Sequence, residues 1–147
     1  MSPAARAHKA HDALTPGGAV ALCWNRPQWS PDDPVRAALD ATYERLTPDL
    51  HARLPGVRDG ATVPPVSITE LDESPHFGPV TRTDFPWREV YDAARYVALL
   101  GTQSDHRMLP EDQRRRLLDG VNAVIDTAGG ELTVDYVAQL YRTRREP

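Results

Sequence analysis

The segment LTPGGAVALCWN, residues 14–25, decides the fold, because it places a helix end, a tight turn and a strand in direct succession. Pro16 cannot continue the Ala-rich segment before it, and Gly17 and Gly18 supply the backbone freedom that a sharp reversal needs. Residues 19–24 are apolar without polar alternation, a pattern typical of a strand covered on both faces in a parallel sheet. We therefore predict a buried strand over residues 18–24, with Cys23 as a small core side chain, after a helix over residues 3–14.

The rest of the chain predicts further helices and two more strands. Asp33-Pro34 is a helix start signal, because an aspartate caps the first turn and proline suits the first helical position. Asp92 is expected to cap another helix. The expected elements are a loop over 25–33, helices over 33–54, a long surface loop over 57–79 with a strand-like stretch at 66–69, a strand over 80–91, helices over 92–128 and a terminal strand over 131–142. In the terminal strand the alternation predicts one face made of Leu132, Val134, Tyr136, Ala138 and Leu140.

Three segments together resemble the C-terminal half of class I S-adenosylmethionine-dependent methyltransferases of the small-molecule, methyltransferase type 11-like branch. They are the Pro-Gly-Gly turn with its following strand, YVALLGTQSDHR at residues 96–107, and GGELTV at residues 129–134. The resemblance covers residues 3–145 approximately. It implies an α/β fold with a partial Rossmann-like sheet, in which residues 19–24 are a parallel strand. It also implies that residues 131–142 lie antiparallel beside that strand, with the strand at 80–91 outside them.

The resemblance also implies S-adenosyl-L-methionine as the cofactor and a small molecule as the methyl acceptor. In that family a glycine-rich loop after the first strand holds the cofactor, and no G-x-G-x-x-G or close relative occurs in this sequence. We therefore expect a single partial domain over residues 1–147 that lacks the cofactor-binding half and does not bind the cofactor alone. Its expected partner is a separate upstream half, or a second copy through an exposed sheet edge. The alternatives are a non-enzymatic α/β interaction domain and a decayed gene product.

The candidate site residues follow from the carboxyl end of the predicted parallel strand, where open α/β sheets bind ligands. By resemblance, Trp24, Asn25, Trp29 and Tyr96 line the acceptor side; the alternative is that Trp24 covers the core, Asn25 ends a strand and Tyr96 is a core residue. His106 is a candidate general base oriented by Asp105. The alternative there is a loop whose Asp or Ser caps the next helix. Ser104, Asp105 and His106 are adjacent, so they cannot form a hydrolase triad.

Composition limits the remaining classes of function. The chain has 147 residues, a net charge of −4 and one cysteine, which argues against nucleic-acid binding and excludes an internal disulfide framework. No stretch is long and apolar enough to cross a bilayer, so we expect a cytoplasmic protein. His8 and His11 lie three apart on a predicted helix and could share a metal. With no third ligand evident, they are read as surface histidines.

Overall fold

A computed structural model describes residues 3–54 and 66–146 of the chain. The chain forms an α/β structure with seven helices and three strands in this part. In chain order the elements are α1 (Pro3–Asp12), β1 (Ala19–Gln28), α2 (Pro34–Leu46), α3 (Pro48–Arg53), α4 (Val66–Asp72), β2 (Thr81–Asp92), α5 (Ala93–Thr102), α6 (Ser104–Arg107), α7 (Glu111–Thr127) and β3 (Glu131–Arg144).

The three strands form one sheet in the order β1-β3-β2. The predicted neighbours are confirmed, because the terminal strand β3 lies beside β1 and β2 lies on the other side of β3. All pairings are antiparallel, so the expectation of a parallel strand is not confirmed for the described residues. Both outer strands contain a proline, Pro27 in β1 and Pro86 in β2, and outer strands are where the missing N–H donor is tolerated.

The turn before β1 has the predicted form. Gly17 has a φ angle of 74°, a conformation that only glycine adopts without cost. The N–H of Gly18 donates to the carbonyl of Thr15 at 2.8 Å, and a Cβ on Gly18 would lie 2.8 Å from that same oxygen. The turn therefore requires glycine at both positions, for two different reasons.

Strand β1 differs from its prediction in length and in burial. It continues to Gln28, through residues that were expected to be a loop. Exposed and half-buried side chains alternate along it, and Ala19, Ala21, Cys23 and Asn25 are on the exposed side. The prediction of a strand buried on both faces is therefore wrong, and Cys23 is an exposed thiol. An uninterrupted apolar run does not distinguish one covered face from two when alternate positions are small.

The chain separates into two compact units. The first unit comprises Met1–Arg26, Ala61–Trp87 and Val137–Pro147, and the second comprises Pro27–Gly60 and Arg88–Tyr136. In the first unit a small core of Ala7, Leu71 and Phe77 joins α1, α4 and the segment before β2, with Val20 and Leu22 of β1 packed against it. Arg6 forms an ion pair with Glu70 across the two helices, with a distance of 2.9 Å from Nε to Oε2.

The second unit contains the larger core. Its fully buried centre is Leu50, Leu117, Val121, Ile125 and Val134, from α3, α7 and β3. Asp33 caps α2 as predicted, since its carboxylate accepts from the N–H groups of Val35 and Arg36 at 2.8 and 3.1 Å. Asp92 caps α5 through the N–H of Arg95 at 2.7 Å. These bonds satisfy donors that every helix start leaves free.

Two further predictions need correction. The strand-like stretch at residues 66–69 belongs to helix α4, in which Ile68 and Leu71 are buried at a spacing of three residues. The rest of the predicted loop that falls on residues 57–65 lies outside the described residues.

In β3 the buried positions are Leu132, Val134 and Tyr136, and then Gln139, Tyr141 and Thr143. The buried positions change from even to odd numbers after Tyr136, and Ala138 and Leu140, which the alternation groups with Leu132, are only half-buried. Each of the two sets belongs to its own unit.

None of the helices in the described ranges combines the length and the hydropathy that crossing a bilayer requires.

Candidate functional site

His106 lies in the single turn of α6, between α5 and α7. Its side chain is only 4% exposed, so its two ring nitrogens depend on protein partners. The carboxylate of Asp105 is 41% exposed, and it accepts from the backbone N–H of His106 at 2.8 Å. The short helix therefore holds an imidazole inside the second unit beside a carboxylate that still contacts solvent.

Both ring nitrogens of His106 have partners. Nδ1 lies 2.8 Å from Oδ1 of Asp105, and Nε2 lies 2.6 Å from the hydroxyl oxygen of Tyr43 in α2. Because an ionised carboxylate only accepts, Nδ1 carries a proton; in the neutral imidazole Nε2 is then an acceptor, and the Tyr43 hydroxyl donates to it. The tyrosine and histidine rings also meet edge to face, with centroids 5.7 Å apart. The result is a chain of three groups, Asp105, His106 and Tyr43, which we call the carboxylate–imidazole–phenol chain.

The electrostatics keep the two ends of this chain in fixed protonation states at neutral pH. Burial by itself raises the pKa of Asp105, but the hydrogen bonds from the side chain and backbone of His106 outweigh it and lower the pKa below its usual value. Burial raises the pKa of Tyr43 well above its usual value, and the nearby Tyr96 and Asp105 add to this rise. Asp105 is therefore an anion and Tyr43 a neutral donor.

A second group of tyrosines lies in the same unit. Tyr91 contacts Tyr96 edge to face with centroids 5.4 Å apart, and its hydroxyl lies 3.2 Å from that of Tyr136. Burial raises the pKa of Tyr96 to about 12. Tyr96 also packs against the larger core, which fits the alternative in which it is a core residue.

Trp29, expected to line the acceptor side, is partly buried against the larger core, and the guanidinium of Arg36 lies 5.3 Å from its ring centre. Arg36 is also held by Asp40, one helical turn away, at 2.8 Å. This cation is therefore bound on two sides, since indole faces attract guanidinium groups. Trp29, Tyr96, Asp105 and His106 all belong to the second unit.

Trp24 and Asn25 belong to the first unit. Trp24 is half-buried and meets Tyr141 edge to face, with centroids 5.7 Å apart, which fits the alternative in which it covers a core. The side-chain oxygen of Asn25 accepts from Nε1 of Trp87 at 2.9 Å. Trp87 is 38% exposed and Phe85, two residues earlier, is 52% exposed. Alternation along a strand places these two rings on one face of β2.

Sequence reasoning missed Tyr43 as a member of the carboxylate–imidazole–phenol chain. In the sequence Tyr43 falls at helical spacing with Val35, Leu39 and Leu46, and this spacing predicts only a place on one face of a helix. No local pattern pairs it with His106, because the two residues are 63 positions apart. The missing information is how α2 packs on the α5–α7 segment, and sequence periodicity does not contain it.

The glycine turns do not form the expected kind of cofactor loop. The three glycines with positive φ are Gly17, Gly129 and Gly130 among the described residues, and both turns lead from a helix into a strand. A loop that holds a nucleotide leads from a strand into a helix, whose N-terminus then faces the phosphate or ribose groups. Neither glycine turn among the described residues therefore has the form of a loop that holds S-adenosylmethionine.

Two comparisons with known proteins place the chain in no family: no family model matches it, and no curated protein matches it significantly.

Proposed function

We propose that this chain is the C-terminal portion of a class I methyltransferase domain that acts on a small molecule and depends on a separate cofactor-binding half. The observation that supports the proposal best is the strand order β1-β3-β2 with antiparallel pairing. The resemblance implies this order, in which the last strand in sequence lies between the other two. The order is not the simplest one for three strands, because sequential strands usually lie side by side.

The exposed face of β1 and its position at the edge of the sheet also support the proposal. β1 is an outer strand, with β3 as its one neighbour within the described part of the chain. An outer strand is a place where a strand of another chain can pair. Ala19, Ala21 and Cys23 are small side chains on the exposed side of this strand. Small apolar side chains of this kind let another element approach the backbone closely.

The carboxylate–imidazole–phenol chain is what this polypeptide is proposed to contribute to the reaction. An acceptor hydroxyl or amine that hydrogen-bonds to the phenol oxygen of Tyr43 would pass its proton to that oxygen, while the Tyr43 proton moves to Nε2 of His106. Asp105 then stabilises the imidazolium through Nδ1–H. In this proposal His106 is the general base, Asp105 orients it and Tyr43 is the group that the acceptor meets.

The test of the half-domain proposal uses Cys23 as a reporter, because it is the chain's single cysteine and is exposed on β1. The DNA upstream of Met1 is searched for a frame that encodes a strand, a glycine-rich loop and a helix, and the two products are expressed together. We expect the thiol to react rapidly with a disulfide reagent in the chain alone and at least about tenfold more slowly in the complex. We also expect S-adenosylhomocysteine to bind the complex and not the chain alone.

An upstream product that leaves Cys23 equally reactive, or a chain that binds S-adenosylhomocysteine without a partner, would argue against the proposal. The general-base role has its own test in the complex. Turnover that is unchanged by both His106→Ala and Tyr43→Phe between pH 6 and pH 9 would remove that role and leave the half-domain proposal intact.

A second candidate function is a non-enzymatic interaction domain, and one observation favours it. Phe85 and Trp87 present two exposed aromatic rings on β2, an outer strand of the sheet, and aromatic side chains are enriched where proteins bind each other. This candidate predicts binding of a protein partner that Phe85→Ser abolishes, with no binding of S-adenosylhomocysteine by any complex of the chain.

A further inference from the structure

Three histidines and one aspartate lie together in the first unit. His8, His11 and Asp12 lie near the C-terminal end of α1, and His76 lies in the segment between α4 and β2. The rings of His8 and His11 stack, with centroids 6.2 Å apart and planes 10° from parallel. The ring centroid of His76 is 4.6 Å from that of His11 and 5.6 Å from that of His8. The sequence lacked a third ligand for this pair, and the fold supplies two candidates.

The donor atoms of three of these four residues lie close together, and His76 is placed beside them by its ring distances. One ligand atom from each of His8, His11 and Asp12 lies within 4.8 Å of the others. Asp12 reaches both histidines through different oxygens, with Oδ1 3.1 Å from Nδ1 of His11 and Oδ2 3.4 Å from Nε2 of His8. In a tetrahedral zinc site, ligand atoms about 2.1 Å from the metal are about 3.4 Å from one another. The two distances from Asp12 to the histidines are near that value, and the three ligand atoms would have to move closer together from within 4.8 Å.

The backbone of His76 is fixed by its surroundings. Its carbonyl accepts from the N–H of Glu146 at 3.0 Å. The next residue, Phe77, is 6% exposed in the small core and forms a bridge with Arg145. The side chains on α1 retain more freedom, since those of His8 and Asp12 are 63% and 59% exposed. His76 is therefore the ligand with a fixed backbone, and the exposed side chains of His8 and Asp12 have room to turn toward an ion.

We propose that His8, His11, His76 and Asp12 bind one divalent transition-metal ion, with Zn²⁺ as the physiological candidate. Three imidazoles and a carboxylate suit zinc, nickel and copper, whereas magnesium and calcium select oxygen ligands. The exposed position gives an ion access from solvent. The bound ion would join the end of α1 to the segment before β2 within the first unit. This proposal is independent of the methyltransferase proposal.

The ion has to replace existing interactions. Asp12 now interacts with both α1 histidines, and the hydrogen bond from His11 is the main reason that its pKa is lowered. Arg145 contributes to the same shift, so a cation already acts on this carboxylate. The competing explanation is therefore a hydrogen-bonded surface cluster that needs no metal.

The experiment titrates the chelator-treated full chain with ZnCl₂ at pH 7.5 by calorimetry. We expect one zinc ion per chain and no heat with MgCl₂. His8→Asn and His76→Asn should each weaken zinc binding about tenfold or more, because losing a direct ligand costs at least as much as losing the group that orients one. The matched control is His51→Asn, a half-buried histidine of α3 in the second unit, which should leave the zinc affinity unchanged.

A second measurement uses the unmodified chain, so the proposal can still be tested if a variant fails to fold. Of the five histidines in the sequence, zinc should shift the imidazole proton resonances of His8, His11 and His76 and leave those of His51 and His106 in place. Absence of zinc binding, an equal loss with His51→Asn, or resonance shifts confined to His51 and His106 would each overturn the proposal. Full affinity in His76→Asn would overturn the assignment of the fixed ligand and with it the four-residue site.

Discussion

Replacing Tyr43 with phenylalanine tests the carboxylate–imidazole–phenol chain at the level of stability. The substitution keeps the ring, and so the edge-to-face contact with His106 at 5.7 Å, and removes only the hydroxyl that lies 2.6 Å from Nε2. The His106 side chain is 4% exposed, so the acceptor that loses its donor is largely shielded from solvent. An unsatisfied buried acceptor costs about 1–3 kcal/mol, and we expect Tyr43→Phe to lower the free energy of unfolding by that amount.

The assay is urea unfolding of a Trp24→Phe, Trp87→Phe background, in which the remaining Trp29 reports on the second unit. Tyr91→Phe is the matched control, because it removes a hydroxyl from the same unit whose bond to Tyr136 is longer, at 3.2 Å, and therefore weaker. We expect it to cost about 1 kcal/mol or less.

A double-mutant cycle then isolates the bond between the two side chains. In a His106→Leu background the Tyr43 hydroxyl has lost its acceptor, so Tyr43→Phe should cost nothing or be stabilising. The reasoning is refuted if Tyr43→Phe costs the same with and without His106, or no more than Tyr91→Phe does.

Three further predictions follow from the second unit. Gly120→Ala places a Cβ 2.9 Å from a methyl group of Thr42, whereas the Cβ of Gly101→Ala meets nothing within 4 Å. Both variants gain similar helix propensity, so in thermal or urea unfolding Gly120→Ala should be less stable than Gly101→Ala by about 1–3 kcal/mol. Equal stability of the two variants would contradict the close crossing of α2 and α7. Asp33→Ala removes the acceptor for two helix-start N–H groups and should cost about 1 kcal/mol of unfolding free energy, with the exposed neighbour Asp32→Ala as the near-neutral control. The pKa of Asp105 is lowered from 3.8 in the folded chain, so its contribution to the free energy of unfolding is present above that value and is lost as pH falls through the folded pKa. In urea titrations the stability difference between the natural chain and Asp105→Asn should therefore shrink below pH 4. A difference that grows on acidification would contradict the assignment.

Helix starts and strand order are the parts of the fold that the sequence predicts well. Asp33 and Asp92 cap helices as predicted, because capping depends on the few residues next to the cap and is visible in a short segment. The order of the strands was available only through the resemblance. The exposed face of β1 was missed because Ala and Cys at alternate positions have the same hydropathy as buried residues. Helix α4 was missed because Val66 and Ile68 alternate like strand residues over so short a stretch.

In the candidate site, too, contacts between sequence neighbours were predicted and contacts between distant residues were missed. The contact between Asp105 and His106 was predicted, because adjacent residues in a single helical turn lie within reach of each other. Tyr43 and His76 were missed as partners, because each reaches its histidine neighbours from a distant part of the chain. Contacts of this kind depend on how helices pack, and no local spacing in the sequence encodes them.

The segment at residues 144–146 ties the first unit together across almost the whole chain. The N–H of Arg145 donates to the carbonyl of Gly18 at 2.8 Å, a guanidinium nitrogen of Arg144 donates to that of Gly17 at 2.9 Å, and the N–H of Gly78 donates to the carbonyl of Arg144 at 2.9 Å. During synthesis these partners leave the ribosome long before the residues that bind them. The second unit ends at Tyr136, so all its residues are synthesised before the first unit is complete. We therefore expect the second unit to fold first, while β1 still lacks its partners at residues 144–146.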